Sequence, residues 1–250
     1  YFAVRRYLKE FLSDHRVIES PPLIWQPILQ GIILTKRPFA SGANYARIWD
    51  REENASPLRV FTRRQAEKLS ARLEKDGIPV AWGMRYGQPS VKDALTSLMD
   101  QGCDRIISIP LYPQYAAATT ATANDQLFRA LMRLRRQPAV LTMPSFPDHP
   151  LFIKALQTSV RETLESLPFK PQQIVASFHG LPKTCIDKGD SYRDECVRTI
   201  VALRQALDLR EEQMPLTFQS RFGPLEWIQP YTAPFVSALP AQGITKIAVI

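Results

Sequence analysis

Two hydrophobic rhythms alternate along the chain. Short apolar runs of strand type occupy residues 78–84, 105–110, 139–143, 173–178, 215–219 and 245–250. Between them, apolar positions recur every three or four residues, the spacing that gathers them on one helix face. Residues 62–75 align Ala66, Leu69 and Leu73. Residues 91–99 align Ala94, Leu95 and Leu98, and Ser90 with Asp93 has the spacing of a reciprocal N-terminal cap. Residues 151–167 follow Asp148-His149-Pro150, an acidic cap and an early proline. Residues 193–209 carry Val197, Ile200, Leu203 and Leu207. Strands alternating with helices of this length predict an α/β fold, with parallel sheets flanked by helices.

The ends of the chain add to this picture. It opens in a helical pattern, residues 4–12, with Val4, Leu8 and Phe11 on one stripe, where such a fold normally leads with a strand. It closes inside an apolar strand, residues 246–250, with no helix after it as cover. The expectation is a piece of a longer protein, lacking a first strand and a C-terminal segment. The stretch 146–151 is the candidate boundary between two lobes, 1–150 and 151–250, the second incomplete at its C-terminus.

Composition sets bounds on function. A chain of 250 residues, 45% apolar and 22% charged, has the make-up of a globular protein with a sizeable core. The net charge of +8 admits nucleic acid, an acidic membrane surface or a small polyanion as partner. No run of consecutive Lys/Arg exceeds two, which argues against a nucleic-acid-binding tail. Cys103, Cys185 and Cys196 match no zinc or haem-attachment spacing, and their odd number argues against a disulfide framework. A reducing, cytoplasmic compartment is the expectation. No apolar run is long enough to span a membrane, and no signal peptide is visible, although the first residue is Tyr1 rather than Met.

Motif absences narrow the chemistry. The chain has no G-x-x-x-x-G-K-[ST], no G-x-G-x-x-G and no G-x-S-x-G. ATP, nicotinamide and acyl-enzyme chemistry are therefore not expected. Ligand-type residues instead follow the predicted strands, where open α/β sheets hold their ligands. Arg85 and Tyr86 follow residues 78–84, and "LYPQYAAATTAT" (111–122) follows 105–110. His179-Gly180 follows 173–178, and Ser220-Arg221, with Trp227 beyond, follows 215–219. Taken singly, each has a reading in turns or packing. Together they describe a pocket with aromatic walls, cationic donors and one imidazole, suited to a large planar anion.

Seven stretches carry a family likeness: "VRRYLKEFLSD" (4–14), "SPL" (56–58), "MRYGQPS" (84–90), "PLYPQYAAATTAT" (110–122), "SFHGLPK" (177–183), "DKGDSY" (187–192) and "LTFQSRFGPLEWIQPYT" (216–232). On these the chain resembles the ferrochelatases, over about residues 4–250. "YPQY" with the small/Thr run looks like the bacterial, protoporphyrin-using branch. The resemblance implies a chelatase fold of two Rossmann-like lobes with a porphyrin cleft between them, and insertion of Fe²⁺ into protoporphyrin IX to form protohaem, the last step of haem biosynthesis. It implies His179 as catalytic residue and metal ligand, facing Arg85 and Tyr86 across the cleft. A His is suited because its reference pKa, about 6.5, leaves it largely neutral near pH 7.

By the same resemblance, Arg85 and Tyr86 bind substrate, Tyr115 and Thr119 line the cleft, and Trp227 is a wall against the ring. Arg47, Ser220 and Arg221 are candidates for the propionates, since carboxylates favour charge-assisted donors; a solvated helix arginine is the other reading of Arg47. Asp187 and Asp190 orient His179, attract metal or cap turns. His15 and His149 are read as capping or exposed. The apolar stretch 21–34 is implied as the lip through which porphyrin enters, with peripheral contact to an anionic inner membrane; a helix buried in the first lobe is the other reading. No cofactor is required and no iron–sulfur cluster is expected, because Ala117 stands where clustered relatives carry a Cys. A second acidic catalytic residue is expected beyond Ile250. The competing readings are a porphyrin- or haem-binding protein without insertion activity, a chelatase for another metal and tetrapyrrole, and, on charge alone, a nucleic-acid binder.

Overall fold

A computed structural model describes residues 2–250. The chain forms two compact units, one comprising residues 1–110 and 117–143, the other residues 111–116 and 144–250.

The first unit begins with helices. Helix α1 (Phe2–Leu12) buries Leu8 and Leu12. Helix α2 (Pro22–Ile28) runs through a π-helical turn, Leu29–Ile33, into α3 (Leu34–Ile48). Pro27 and Pro38 each remove an N–H from this run, and the wide turn between them accommodates the break. Leu29 and Leu34 are fully buried against Leu8 and Leu12, with Tyr7, Phe11 and Trp25 packed around them. The Trp25 indole N–H donates to the Leu12 carbonyl, at 2.6 Å, fixing α2 to the end of α1. The same run leaves Leu23 91%, Phe39 64% and Ile24 63% exposed. One face of the 21–34 stretch is therefore core, and the other meets solvent.

Helix α4 (Pro57–Leu73) starts five residues before the sequence pattern suggests, because the Ser56 hydroxyl accepts from the Arg59 N–H and Pro57 takes the first turn. Helix α5 (Val91–Asp100) carries the expected cap: Ser90 and Asp93 satisfy each other's backbone N–H groups. Strands β1 (Arg105–Ser108) and β2 (Ala139–Thr142) pair in parallel, with Ile106 opposite Val140, and α6 (Thr122–Leu131) makes the crossover. Leu95, Ile106, Leu127 and Ala130 form the core beneath α5 and α6. The alternate positions, Ile107 and Leu141, lie on the other face, 63% and 58% exposed.

Residues 78–84, expected as a strand, do not form one. Only Met84 makes a bridge, to Ser90. Pro79 lacks a ladder donor and no strand among the described residues pairs alongside, so the apolar run stays unpaired.

The second unit is a three-stranded parallel sheet ordered β4-β3-β5, built from β3 (Gln173–His179), β4 (Leu216–Gln219) and β5 (Ile247–Val249). Central β3 buries Ile174, Val175 and Ala176 in succession, as a strand covered on both faces must. Helices α7 (Pro150–Ser166) and α9 (Tyr192–Leu207) flank it, with the short α8 (Lys183–Asp187) between β3 and α9 and α10 (Thr232–Ala238) after β4. Ile200, Leu203 and Met214 pack on Ile174 and Ala176. Arg204 is buried with them; its Nε–H donates to the Met214 carbonyl at 2.8 Å, and a longer ion pair reaches Glu211.

Candidate active site

The C-terminal end of β3 delivers His179, in register with Gln219 of β4. The strands are parallel, so both end on the same edge of the sheet, and Ser220 follows directly. The Gly180 N–H donates to the Gln219 carbonyl at 2.8 Å. A Cβ on Gly180 would lie 2.8 Å from that oxygen and 3.1 Å from the Trp227 ring. Only glycine lets the turn approach both. Pro182 bridges Trp227, and the Ile228 N–H donates to the Leu181 carbonyl, so residues 181–182 carry Trp227 beside the strand tip.

His179 is exposed by accessible area, yet the protein mass around the strand end partly desolvates it and holds its pKa below the ordinary 6.5. Near pH 7 the imidazole is neutral, with a lone pair for a proton or a metal ion. Trp227 is buried, and its indole N–H has no acceptor among the described residues. Phe222 extends the aromatic surface, its ring centre 5.0 Å from that of Trp227. Arg221 is exposed and lies over the Tyr231 ring at 5.0 Å. Ser220 has φ +70°, a left-handed conformation that a non-glycine residue adopts at a cost of about 1–3 kcal/mol. Asp190 accepts from the Tyr192 N–H at the start of α9, a capping contact. His149 likewise caps α7, its Nδ1 accepting from the Leu151 N–H.

Tyr115 belongs to this same unit, within the short segment 111–116. Its N–H donates to the buried Glu195 carboxylate at 2.8 Å, and Ser191 donates to the other carboxylate oxygen at 2.9 Å. Gln114 donates to Thr199, which donates in turn to the Pro147 carbonyl at 2.7 Å. Two polar residues of α9, four apart and buried, thus clamp the "YPQY" segment from its backbone and side chain. Beside them Cys196 is fully buried, its thiol pushed up to about 12, chiefly by burial, so it is an inert packing residue.

In the first unit, Arg85 and Tyr86 meet at a buried carboxylate that the sequence reading did not single out as functional. Asp14 Oδ2 accepts from Arg85 Nη2, from the Tyr86 hydroxyl at 2.9 Å and from the Thr122 hydroxyl, while Oδ1 accepts from the Arg16 N–H at 2.9 Å. Arg85 also donates Nε–H to the Thr122 oxygen at 2.6 Å, and its guanidinium lies 4.2 Å from the Tyr86 ring centre. Burial alone would raise the Asp14 pKa. The hydrogen bonds from Thr122, Arg16 and Tyr86 and the Arg85 charge outweigh it and hold the carboxyl below 3.8. Tyr86 goes the other way: burial first, then the Asp14 charge, pushes its phenol well up. Thr119 sits in the π-helical turn Ala117–Ala121 that leads into α6 and Thr122. Arg47 is exposed in the last turn of α3.

The chain matches the ferrochelatase family over residues 2–250. It is 84% identical to a ferrochelatase of Gluconobacter oxydans, across the whole of this chain and 73% of that relative. It is 52% identical to a ferrochelatase of Chelativorans sp. and 53% to one of Brucella anthropi, again across the whole chain and 71% and 72% of those relatives. The chain belongs to the ferrochelatase family.

Proposed function

We propose that the protein inserts Fe²⁺ into protoporphyrin IX, with His179 as the group that takes a pyrrole proton and meets the incoming metal. The observation that carries this reading is the partly desolvated imidazole at the tip of β3, beside the aromatic shelf of Trp227 and Phe222. The reaction replaces two pyrrole N–H protons with one divalent ion, so two protons leave. A neutral imidazole accepts one proton at a time and, exposed at the strand tip, passes it to solvent before taking the second, and general-base assistance of this kind contributes about 10²–10⁴-fold. The macrocycle must also bend for its nitrogens to face the ion. A rigid wall favouring the bent ring supplies such distortion, worth about 1–5 kcal/mol. The exposed Phe222 ring gives such a wall its surface, and buried Trp227, wedged against Gly180, its backing.

Ser220 and Arg221 are assigned to the propionates, on their position at the same strand edge and the guanidinium's exposure. Arg47 is assigned with them on charge alone. Tyr115 and Thr119 are assigned to the porphyrin pocket, and Arg85 with Tyr86 to substrate binding from the first unit. No bound cofactor is assigned, iron being a substrate. The exposed apolar side chains Leu23, Ile24 and Ile32 are assigned as a lip that collects poorly soluble porphyrin at an anionic membrane surface, with the +8 charge aiding contact. Among the described residues no helix is long and apolar enough to cross a membrane.

The test is zinc insertion into protoporphyrin, followed by porphyrin fluorescence. The proposal expects catalytic turnover to the zinc porphyrin. Tight porphyrin binding without turnover would make the protein a binder and overturn it.

A further inference from the structure

We propose that Asp14 is a positioning residue, which holds the Arg85 guanidinium and the Tyr86 hydroxyl in the one geometry that serves substrate. The inference rests on the assignment of Arg85 and Tyr86 to substrate binding.

Three donors converge on one oxygen of a carboxylate whose side chain is 3% exposed. Arg85, whose side chain is 8% exposed, spends its Nε and Nη2 on Thr122 and Asp14. Its Nη1 edge has only a 4.0 Å approach to Glu10. Nη1 is thus the edge with no close hydrogen bond, and Arg85 borders a cavity lined also by Arg6, Lys9, Glu10, Ser13 and Arg129. Tyr86 gives its proton to Asp14, so toward any further partner its oxygen can act only as an acceptor. Edge-on contacts from Tyr7 and Phe11 fix the plane of the phenol ring. The carboxylate therefore settles three things at once: the charge beside Tyr86, the direction of its proton, and the free edge of Arg85.

The test compares Asp14→Asn in three backgrounds: native, Arg85→Met, and Arg85→Met/Tyr86→Phe. Zinc insertion and near-ultraviolet circular dichroism are measured for each. If Asp14 acts through its two partners, kcat/KM falls about 10- to 100-fold in the native background. It falls less in Arg85→Met, and under about twofold when both partners are gone. An equal loss in all three, or none in the native background, overturns the proposal. Asp14→Asn in Arg85→Met strands no buried cation, so if Asp14→Asn alone does not fold the test is that it costs more in Arg85→Met than in Arg85→Met/Tyr86→Phe, and an equal cost in those two overturns the proposal.

A second readout needs no turnover. The groups around Tyr86 are Asp14 and Arg85 in contact, the Tyr7 phenol edge-on at 6.3 Å, Glu10 beside Arg85, and Arg6, Lys9, His15 and Arg129 around the adjoining cavity. Removing the Asp14 charge leaves Arg85 dominant, so the Tyr86 phenol titrates at lower pH. Tyrosinate absorbance is taken as the difference between Asp14→Asn and Asp14→Asn/Tyr86→Phe, and again between native and Tyr86→Phe. An unmoved Tyr86 titration overturns the positioning role. If the native protein inserts no zinc, the functional assignment fails, and this titration alone decides the role of Asp14.

Discussion

Gly180→Ala is the smallest change that addresses the strand-tip geometry. The added methyl would lie 2.8 Å from the Gln219 carbonyl oxygen and 3.1 Å from Cε3 of Trp227. Carbon contacts settle near 3.5 Å, so the two neighbours must retreat by roughly half an ångström. The carbonyl cannot do so without stretching the 2.8 Å bond from the Gly180 N–H, which ties the tip of β3 to β4. Trp227 is buried and hydrogen-bonded through its backbone to the Tyr231 hydroxyl, so it has little room either. Overpacking of this kind costs about 1–3 kcal/mol, and a weakened backbone hydrogen bond about 1 more. The expected loss is about 2–4 kcal/mol in urea denaturation, with the slope of the transition unchanged. Zinc insertion should fall by more than the loss of folded protein accounts for, because His179 and the Trp227 wall are displaced together, and a shift of about 1 Å costs up to about 10²-fold. Stability within about 0.5 kcal/mol of native, with full activity, would refute the claim that this glycine sets the geometry.

Other outcomes follow from the same structure. Leu34→Ala, at a fully buried position between α1 and α3, should lose about 2–5 kcal/mol by denaturant unfolding. Glu195→Leu strands the Tyr115 N–H and Ser191 hydroxyl and should destabilise by about 2–4 kcal/mol, with raised proteolysis within 111–116. The lowered His179 pKa puts the acid limb of kcat/KM below pH 6.5, and a limb above pH 7 would contradict it. The sign for stability agrees: the unfolded chain binds this proton more tightly, so the His179 contribution rises with pH between its lowered folded value and 6.5. Replacing Leu23 and Ile24 by Ser should weaken sedimentation with anionic vesicles while leaving thermal stability unchanged, since both side chains are exposed.

Much of the fold was legible because its signals are local. The Ser90–Asp93 cap, the Pro150 helix start and the unbroken apolar run of β3 are written within a few neighbouring residues. The run at 78–84 misled because its strand pattern says nothing about whether a neighbouring strand exists to pair with it. The clamp on 111–116 was not legible, since Glu195 and Thr199 lie 80 and 85 residues from their partners and look like a solvated helix face. Asp14 was hidden the same way, 71 residues from Arg85 and 108 from Thr122. One signal was there to find: an acid just past the C-terminal end of α1, where the helix dipole disfavours negative charge, implies compensation from elsewhere. His179 stood out because its turn is shaped by Gly180 and Pro182, but the reason for that glycine, the approach of Gln219 and Trp227, belongs to the tertiary structure.

On this reading the imidazole of His179 carries the proton and metal chemistry. The most direct test measures porphyrin binding and zinc insertion side by side for native protein and His179→Ala. The account predicts that the variant binds porphyrin within about threefold of native and inserts zinc at least about 100-fold more slowly. Insertion by His179→Ala at the native rate would contradict it.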